Sequence, residues 1–356
     1  ILQHVLDFCC AMNAVNKDNG ARLRADEDAQ LTQVNGYVRP RVLIAVHYRH
    51  EFKDVVERLF AMSGHGPKPE VLERLEEEYA GEDTAFATNF VMGATFTNKS
   101  MSLTTNLQHA DIIFANPRFL LEKVDNHASL LSSIELVYVH RFSQFLLDDV
   151  AVLPELLTAV NAVPEHSHVD QDFRTIREVH TAHLSKFTRQ SIFYADACSL
   201  ELNGLCARFA LNYKGLLRSR VFYPKPEYPR RLAFTFKRLP FKSLKAEHED
   251  RFHYFGAEVW ADVRKGELHH NSIIFVNSYL LYKRLQKYLK EKHSPVGYIS
   301  EHTPKNKVQS VFARFNNGEH KYLLVTERAL HYKVCEPKRY GSVIFYNLPH
   351  SQDVLD

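Results

Sequence analysis

Residues 129–140 read SLLSSIELVYVH, and the second part of that stretch, IELVYVH (134–140), decides the fold. It is an apolar run carrying Ile134, Val137 and Val139, of the length of a strand buried on both faces in a parallel sheet. Such a strand ends at the carboxyl edge of an α/β sheet, where ligands usually bind. A nucleotide-driven motor needs an acidic pair at this strand end, to hold Mg²⁺ and position water. Here the strand runs into His140, Arg141, Phe142 and Ser143. A cation stands where a metal-binding carboxylate is required. The scaffold reads as a motor whose catalytic corner is empty.

Working outward, the neighbouring segments repeat the strand-and-helix pattern. RVLIAVH (41–47), after Pro40, predicts a strand, and EFKDVVERLFAM (51–62) an amphipathic helix with Phe52, Val55, Val56 and Leu59 inward. DIIFAN (111–116) predicts a buried strand closed by Pro117 and Arg118, with a helix from FLLEKV. QSIFYA (190–195) predicts another strand, and SLELNGLCARFAL its helix. Residues 91–105 read as a hairpin around Asn98 and Lys99, 142–162 as one long helix, and 1–14 as a helix. The polar residues 16–38 read as a loop. GHGPKP (64–69) is a break, and the acidic helix expected after it (70–83) is a solvated face.

YPKPEYPRR (223–231) holds three prolines in nine residues and marks a boundary. RLAFTFKRL (231–239) predicts a strand and 246–265 a helix, and then the rhythm restarts. Strands are expected at SIIFVN (272–277), VGYISEH (296–302), KYLLVTER (321–328) and GSVIFYN (341–347). Between them come a basic helix, YLLYKRLQKYLKEKH, and the helix KVQSVFARF (307–315). The fold class is therefore α/β, with two tandem, mostly parallel sheets covered by helices on both faces. The expected domains are residues 1–223 and 224–356.

Composition is that of a globular protein, with 45% hydrophobic and 24% charged residues over 356 positions. A net charge of +3 is compatible with RNA and does not demand it. No apolar run approaches the roughly 20 residues that cross a bilayer, so no membrane partner is expected. Five cysteines without a CxxC pair point to a reducing compartment. The chain begins at Ile1 without Met or a signal-peptide layout, so we expect a fragment whose targeting signals lie upstream.

Neither GxxxxGK[ST] nor GxGxxG occurs, so no phosphate cradle is legible, although helix 1–14 leaves room for such a loop upstream. His166, His168 and Asp170, the pair His180 and His183, and His269–His270 offer ligand chemistry. They lack a Cys partner or a metal-site spacing, and they read as polar surface. Cys198 precedes a helix, where a thiol can be activated, but reads as a buried structural cysteine. Lys283, Arg284, Lys287, Lys290 and Lys292 read as a solvated helix face. Around 218–242, arginines and lysines alternate with Phe222, Tyr223, Tyr228, Phe234, Phe236 and Phe241. That pattern fits RNA contact through phosphates and stacking, and equally a solvated surface over strand aromatics.

Taken together, several segments resemble the digestive organ expansion factor family, also called the U3 small nucleolar RNA-associated protein 25 family. They are 39–59 (RPRVLIAVHYRHEFKDVVERL), 111–121 (DIIFANPRFLL), 130–147 (LLSSIELVYVHRFSQFLL) and 168–205. In the second half they are 272–289, 298–333 and 341–349, with TER at 326–328 the most specific. His140–Arg141 departs further from an acidic motif than the family pattern does, and 60–95 match poorly. The resemblance implies two RecA-like domains of DEAD-box ancestry without ATPase residues and without a cofactor. It implies a nucleolar assembly factor of the small-subunit processome, acting in pre-18S ribosomal RNA maturation. The implied partners are processome proteins and a particle of U3 small nucleolar RNA or pre-18S RNA.

Contact residues expected on this reading are Arg118, Glu327 and Arg328, followed by Lys99, Arg230 and Arg231. Glu327 and Arg328 also fit a purely structural pair. Two alternatives stay open: an RNA-dependent ATPase, which needs an upstream phosphate loop and an HRxGRxxR-like run absent here, and a generic α/β protein-binding module.

Overall fold

A computed structural model of the chain describes residues 1–63, 86–97, 100–125, 127–163, 171–196, 198–219, 235–239, 243, 245–265, 271–337 and 340–349. The backbone divides into two units, Ile1–Val221 and Phe222–Asp356.

The first unit is built on a sheet of six strands: β1 (Val42–Ala45), β2 (Val91–Thr97), β3 (Ser100–Thr104), β4 (Ile112–Ala115), β5 (Leu136–Val139) and β6 (Gln190–Phe193). Their order is β3-β2-β4-β1-β5-β6. The strands β4, β1, β5 and β6 are parallel, and β2 and β3 form the expected antiparallel hairpin at the other edge. In β1, β4 and β5 every residue is buried, as a strand covered on both faces requires. Side chains alternate between two cores, since successive strand residues point to opposite faces. Val42, Ile44, Ile112, Phe114, Leu136 and Tyr138 pack with the helices Leu2–Ala25 and Arg49–Met62. Leu43, Ala45, Ile113, Ala115, Val137 and Val139 pack with Phe142, Phe145, Leu153, Leu156 and Leu157.

The second unit carries β7 (Ser272–Val276), β8 (Val296–Ile299), β9 (Tyr322–Thr326) and β10 (Ser342–Phe345), all parallel, in the order β10-β7-β9-β8. One face packs Ile274, Val276 and Leu324 against Trp260, Leu285 and Leu289. The other packs Ile273, Leu323 and Val325 against Val308, Val311 and Phe315. The chain is thus α/β with mostly parallel sheets and helices on both faces, as the strand pattern required.

Four local expectations need correction. The first helix continues to Ala25 instead of yielding to a loop at 16. Its second half is polar because it faces solvent. Buried Asn19 pins the following segment to it, accepting from Thr32 N (2.9 Å) and donating to Thr32 O (2.8 Å). Residues 142–162 form two helices, Phe142–Leu147 and Val152–Ala159. Pro154 explains the break. It is tolerated in a first turn, but in one continuous helix its ring would meet the carbonyl four residues back. Residues 235–239 are not a strand, and the remainder of that expected strand lies outside the described residues. In 246–265 a π-helical segment, Phe255–Val259, separates Glu247–Tyr254 from Trp260–Lys265. The acidic helix at 70–83 also lies outside the described residues.

At the amino edge of the first sheet a buried ionic network ties the strand entries together. Arg39 grips Asp111 with Nε and Nη2 at 2.9 and 3.3 Å, and Asp111 also accepts from Phe96 N. Arg41 lies 3.6 Å from Glu135 and donates to Asn35, while Arg177 donates to Glu135 at 2.5 Å. Burial pushes the Glu135 carboxyl up, but His180, Arg41 and Arg177 together bring it below its ordinary value.

Candidate functional site

The carboxyl edge of the first sheet gathers the ends of β1, β4 and β5. After β4, Asn116 caps the helix Pro117–Lys123, its Oδ1 accepting from Phe119 N, with Pro117 at the first helical position. Its Nδ2 donates to His47 O at 2.9 Å and so ties the exit of β4 to that of β1. At the end of β5, His140 N donates to Ala45 O and Phe142 N to Tyr194 O. Between them Arg141 adopts a left-handed conformation, φ 45° and ψ 63°, uncommon for a residue with a Cβ. That kink turns the chain from β5 into the helix Phe142–Leu147.

The side chains here pair with one another. His47 Nε2 lies 3.1 Å from Asp148 Oδ2. Arg118 holds Asp149 with Nε and Nη2 at 2.9 and 2.8 Å, and its Nη1 donates to Glu155 at 3.2 Å. The hydrogen bond to Asp149 raises the Arg118 pKa. Glu51, in the first turn of the helix Arg49–Met62, is buried. Burial pushes its carboxyl up to about 7, against the pull of Arg141, whose Nη1 is 3.7 Å away. His140 hydrogen-bonds Tyr138 Oη through Nδ1 at 2.7 Å and stacks on Tyr194. Burial, reinforced by Arg141 and Arg58, pushes the His140 imidazole down to about 4.

The chemistry of this corner follows. The β5 end presents a neutral imidazole and a guanidinium, and burial favours the protonated form of Glu51. Asp148 and Asp149 face His47 and Arg118. Among the described residues no cluster of three or more His, Cys, Asp or Glu could hold a metal ion. An arrangement of this kind can bind and brace, with His140 and Arg141 standing at the strand end itself.

Among the described residues, Arg118 is the one expected contact residue at this edge, and it is engaged by three acidic neighbours, Asp149, Glu155 and Glu122. Glu327 opens the helix Glu327–His331 after β9 and is fully buried, so it has no surface to offer a partner; the contact expectation there is corrected to a structural place. Arg328 is half-buried beside it. Lys99, Arg230 and Arg231 lie outside the described residues, as do His166, His168, Asp170, His269 and His270. His180 is buried, 3.0 Å from Ser185 Oγ, while His183 is exposed, so the two form no common site. Cys198 is exposed, not buried as expected. On the basic helix Tyr279–Glu291, Arg284 pairs with Glu249 and lies over Phe252, and Lys283 and Lys290 lie over tyrosine rings. His47, Glu51 and Asp148 were not singled out from the sequence. Glu51 carried a signal, because it shares the helical phase of Val55 and Leu59.

Two family models cover the chain. One, described as the UTP25 NTP hydrolase-like domain, matches residues 1–217, and the other, the Utp25 C-terminal domain, matches 224–355. The chain belongs to the UTP25 family. Among curated relatives, U3 small nucleolar RNA-associated protein 25 of Lachancea thermotolerans is 27% identical, covering 99% of this chain and 51% of that protein. The Xenopus tropicalis homolog is 27% identical, covering 97% and 49%, and the human homolog is 24% identical, covering 97% and 50%. The chain thus spans about half the length of the curated relatives it matches. Among solved structures, the yeast DEAD-box splicing factor Prp28 aligns at 13% identity and a TM-score of 0.29, covering 88% of this chain and 58% of Prp28. A superposition that loose carries no argument about function.

Proposed function

We propose that this UTP25-family chain is a non-catalytic, helicase-like assembly factor of the small-subunit processome. It acts in the nucleolus, in a particle with U3 small nucleolar RNA and pre-18S ribosomal RNA. Residues 1–223 and 224–356 serve as its two RecA-like halves. Family membership, with relatives named for association with U3 RNA, supports the setting. The observation that carries the non-catalytic part is the end of β5, where His140 and a left-handed Arg141 replace the acidic pair. Their environment holds His140 neutral and pushes the Glu51 carboxyl up, which supports that reading. The contact residues of this reading include Lys99, Arg230, Arg231 and Arg328.

The test is RNA-stimulated ATP hydrolysis by the purified full-length protein, with structured RNA in excess. No turnover above background is expected, and a Glu51→Gln variant should behave identically. RNA-dependent turnover lost in a variant of this corner would overturn the proposal.

A further inference from the structure

β6 ends the first sheet on one side, and among the described residues no strand pairs with its outer edge. In its parallel ladder with β5, Gln190 N donates to Glu135 O and Tyr194 N to Val139 O. Alternate residues of such a ladder face opposite neighbours, so the N–H and C=O groups of Ser191 and Phe193 point outward. Ser191 Oγ is also buried without a hydrogen-bond partner. Natural edge strands are blunted by charge, proline or a bulge, and β6, QSIF in unbroken register, carries none of these. Its Ile192 and Phe193 are only half-buried, on opposite faces, beside the cores that hold Val5 and Leu6 on one side and Leu205 and Phe209 on the other.

The handedness of the connections says what belongs beyond this edge. The connection from β1 to β4 passes through the helix Arg49–Met62 on the first face and steps away from β6. Those from β4 to β5 and from β5 to β6 pass over the second face and step toward it. All three share one hand, as about 98% of crossovers between parallel strands do. The helix Leu2–Ala25 lies on the first face and leads into β1. By the same hand, a parallel strand feeding that helix lies on the β6 side of β1. There β5 is already paired on both edges, so the place left is beyond β6. The helix Leu200–Phe209, on the second face, likewise carries the chain outward from β6. After it, Asn212 Nδ2 holds the carbonyls of Thr188 and Arg189 at the entry of β6, and Leu216 and Leu217 stand 56% and 97% exposed.

We propose that a segment of the full-length protein preceding Ile1 adds a seventh strand to this sheet, parallel to β6 and hydrogen-bonded to the backbone of Ser191 and Phe193. It is an apolar, β-branched run like β1 and β5, because helices cover both of its faces. Its carboxyl end lies beside Tyr194, so the corner at the end of β5 gains side chains from it. The curated relatives carry about as much chain again outside the matched stretch, which is length enough for such a strand.

Amide hydrogen exchange of the purified full-length protein, resolved to single residues, tests this. The Ile192 amide faces β5 and is the internal reference. The Ser191 and Phe193 amides should exchange within about tenfold of it, whereas an open edge would leave them about a hundredfold faster or more. A benzoyl-phenylalanine placed at Phe193 of the full-length protein names the occupant after irradiation. The expected cross-link is to a peptide upstream of Ile1 in the same chain. Fast exchange at both outward amides overturns the proposal. So do cross-links confined to residues 1–356, or formed only with a second copy. None of these outcomes depends on the ATPase assay or on the processome role.

Discussion

The buried carboxyl of Glu51 lies 3.7 Å from the guanidinium of Arg141, whose backbone is left-handed at the end of β5. This pair occupies the corner where a motor of this architecture would bind its metal. Its electrostatics are set by burial, with Arg141 only partly offsetting the cost to Glu51.

The pH dependence of stability follows from Glu51 and His140 with opposite signs. The Glu51 pKa rises from 4.5 to about 7 on folding, so its contribution is present below pH 4.5 and lost as pH rises through 7. The His140 pKa falls from 6.5 to about 4, so its contribution is present above pH 6.5 and lost as pH falls through 4. These two groups together favour the folded first unit most between those limits, near pH 5 to 6. The two slopes nearly cancel between about pH 4.5 and 6.5, so Glu51→Gln should leave a stability that rises with pH over that range, by on the order of 2 kcal/mol, where the parent protein stays nearly flat. Chemical denaturation over that range checks this; an unchanged slope in the variant would show that Glu51 titrates normally.

Gly36 has no room for a side chain. A Cβ there would sit 2.4 Å from Ser133 Cβ, and Ser133 Oγ accepts from Val38 N, which fixes the loop entering β1. Gly36→Ala should cost about 1–3 kcal/mol by overpacking. Adding Ser133→Gly should recover part of the loss, read as the midpoint of urea denaturation. No recovery would mean the clash is relieved elsewhere.

Glu327 is fully buried at the start of the helix after β9, where Thr326 Oγ1 caps by accepting from Ala329 N. Glu327→Ala should destabilise the second unit by about 2–3 kcal/mol, because truncating a fully buried side chain leaves a cavity. Hydrogen exchange of β7 and β9 amides would show it. A variant of native stability that lost only particle association would restore the contact role.

Arg118 is half exposed, and its fork on Asp149 braces the break between the helices Phe142–Leu147 and Val152–Ala159. Arg118→Ala should cost no more than about 1 kcal/mol, as exposed ion pairs do. Thermal melting checks it, and a larger loss would mean that the 148–151 segment depends on this fork.

The parts of the fold legible in the sequence were those written in local periodicity. β1, β4 and β5 are continuous apolar runs because helices cover both faces, and the amphipathic helix Arg49–Met62 shows its inward phase. Composition misled where a helix faces solvent, as in the second half of Leu2–Ala25. It misled again at 142–162, where an apolar pattern masked the constraint of Pro154. The missing acidic pair at the candidate site was legible, because it sits on one strand. The partners His47–Asp148 and Arg41–Glu135 were not, since each joins residues about a hundred positions apart, and only the parallel register brings them together.

The measurement that bears most directly on the processome role is gradient sedimentation of the tagged full-length protein from cells, with sequencing of the RNA that travels with it. Migration in a large particle together with U3 RNA and 18S precursors is the predicted result. A light peak free of RNA would contradict it, and would leave the UTP25 fold as ancestry without the assembly role.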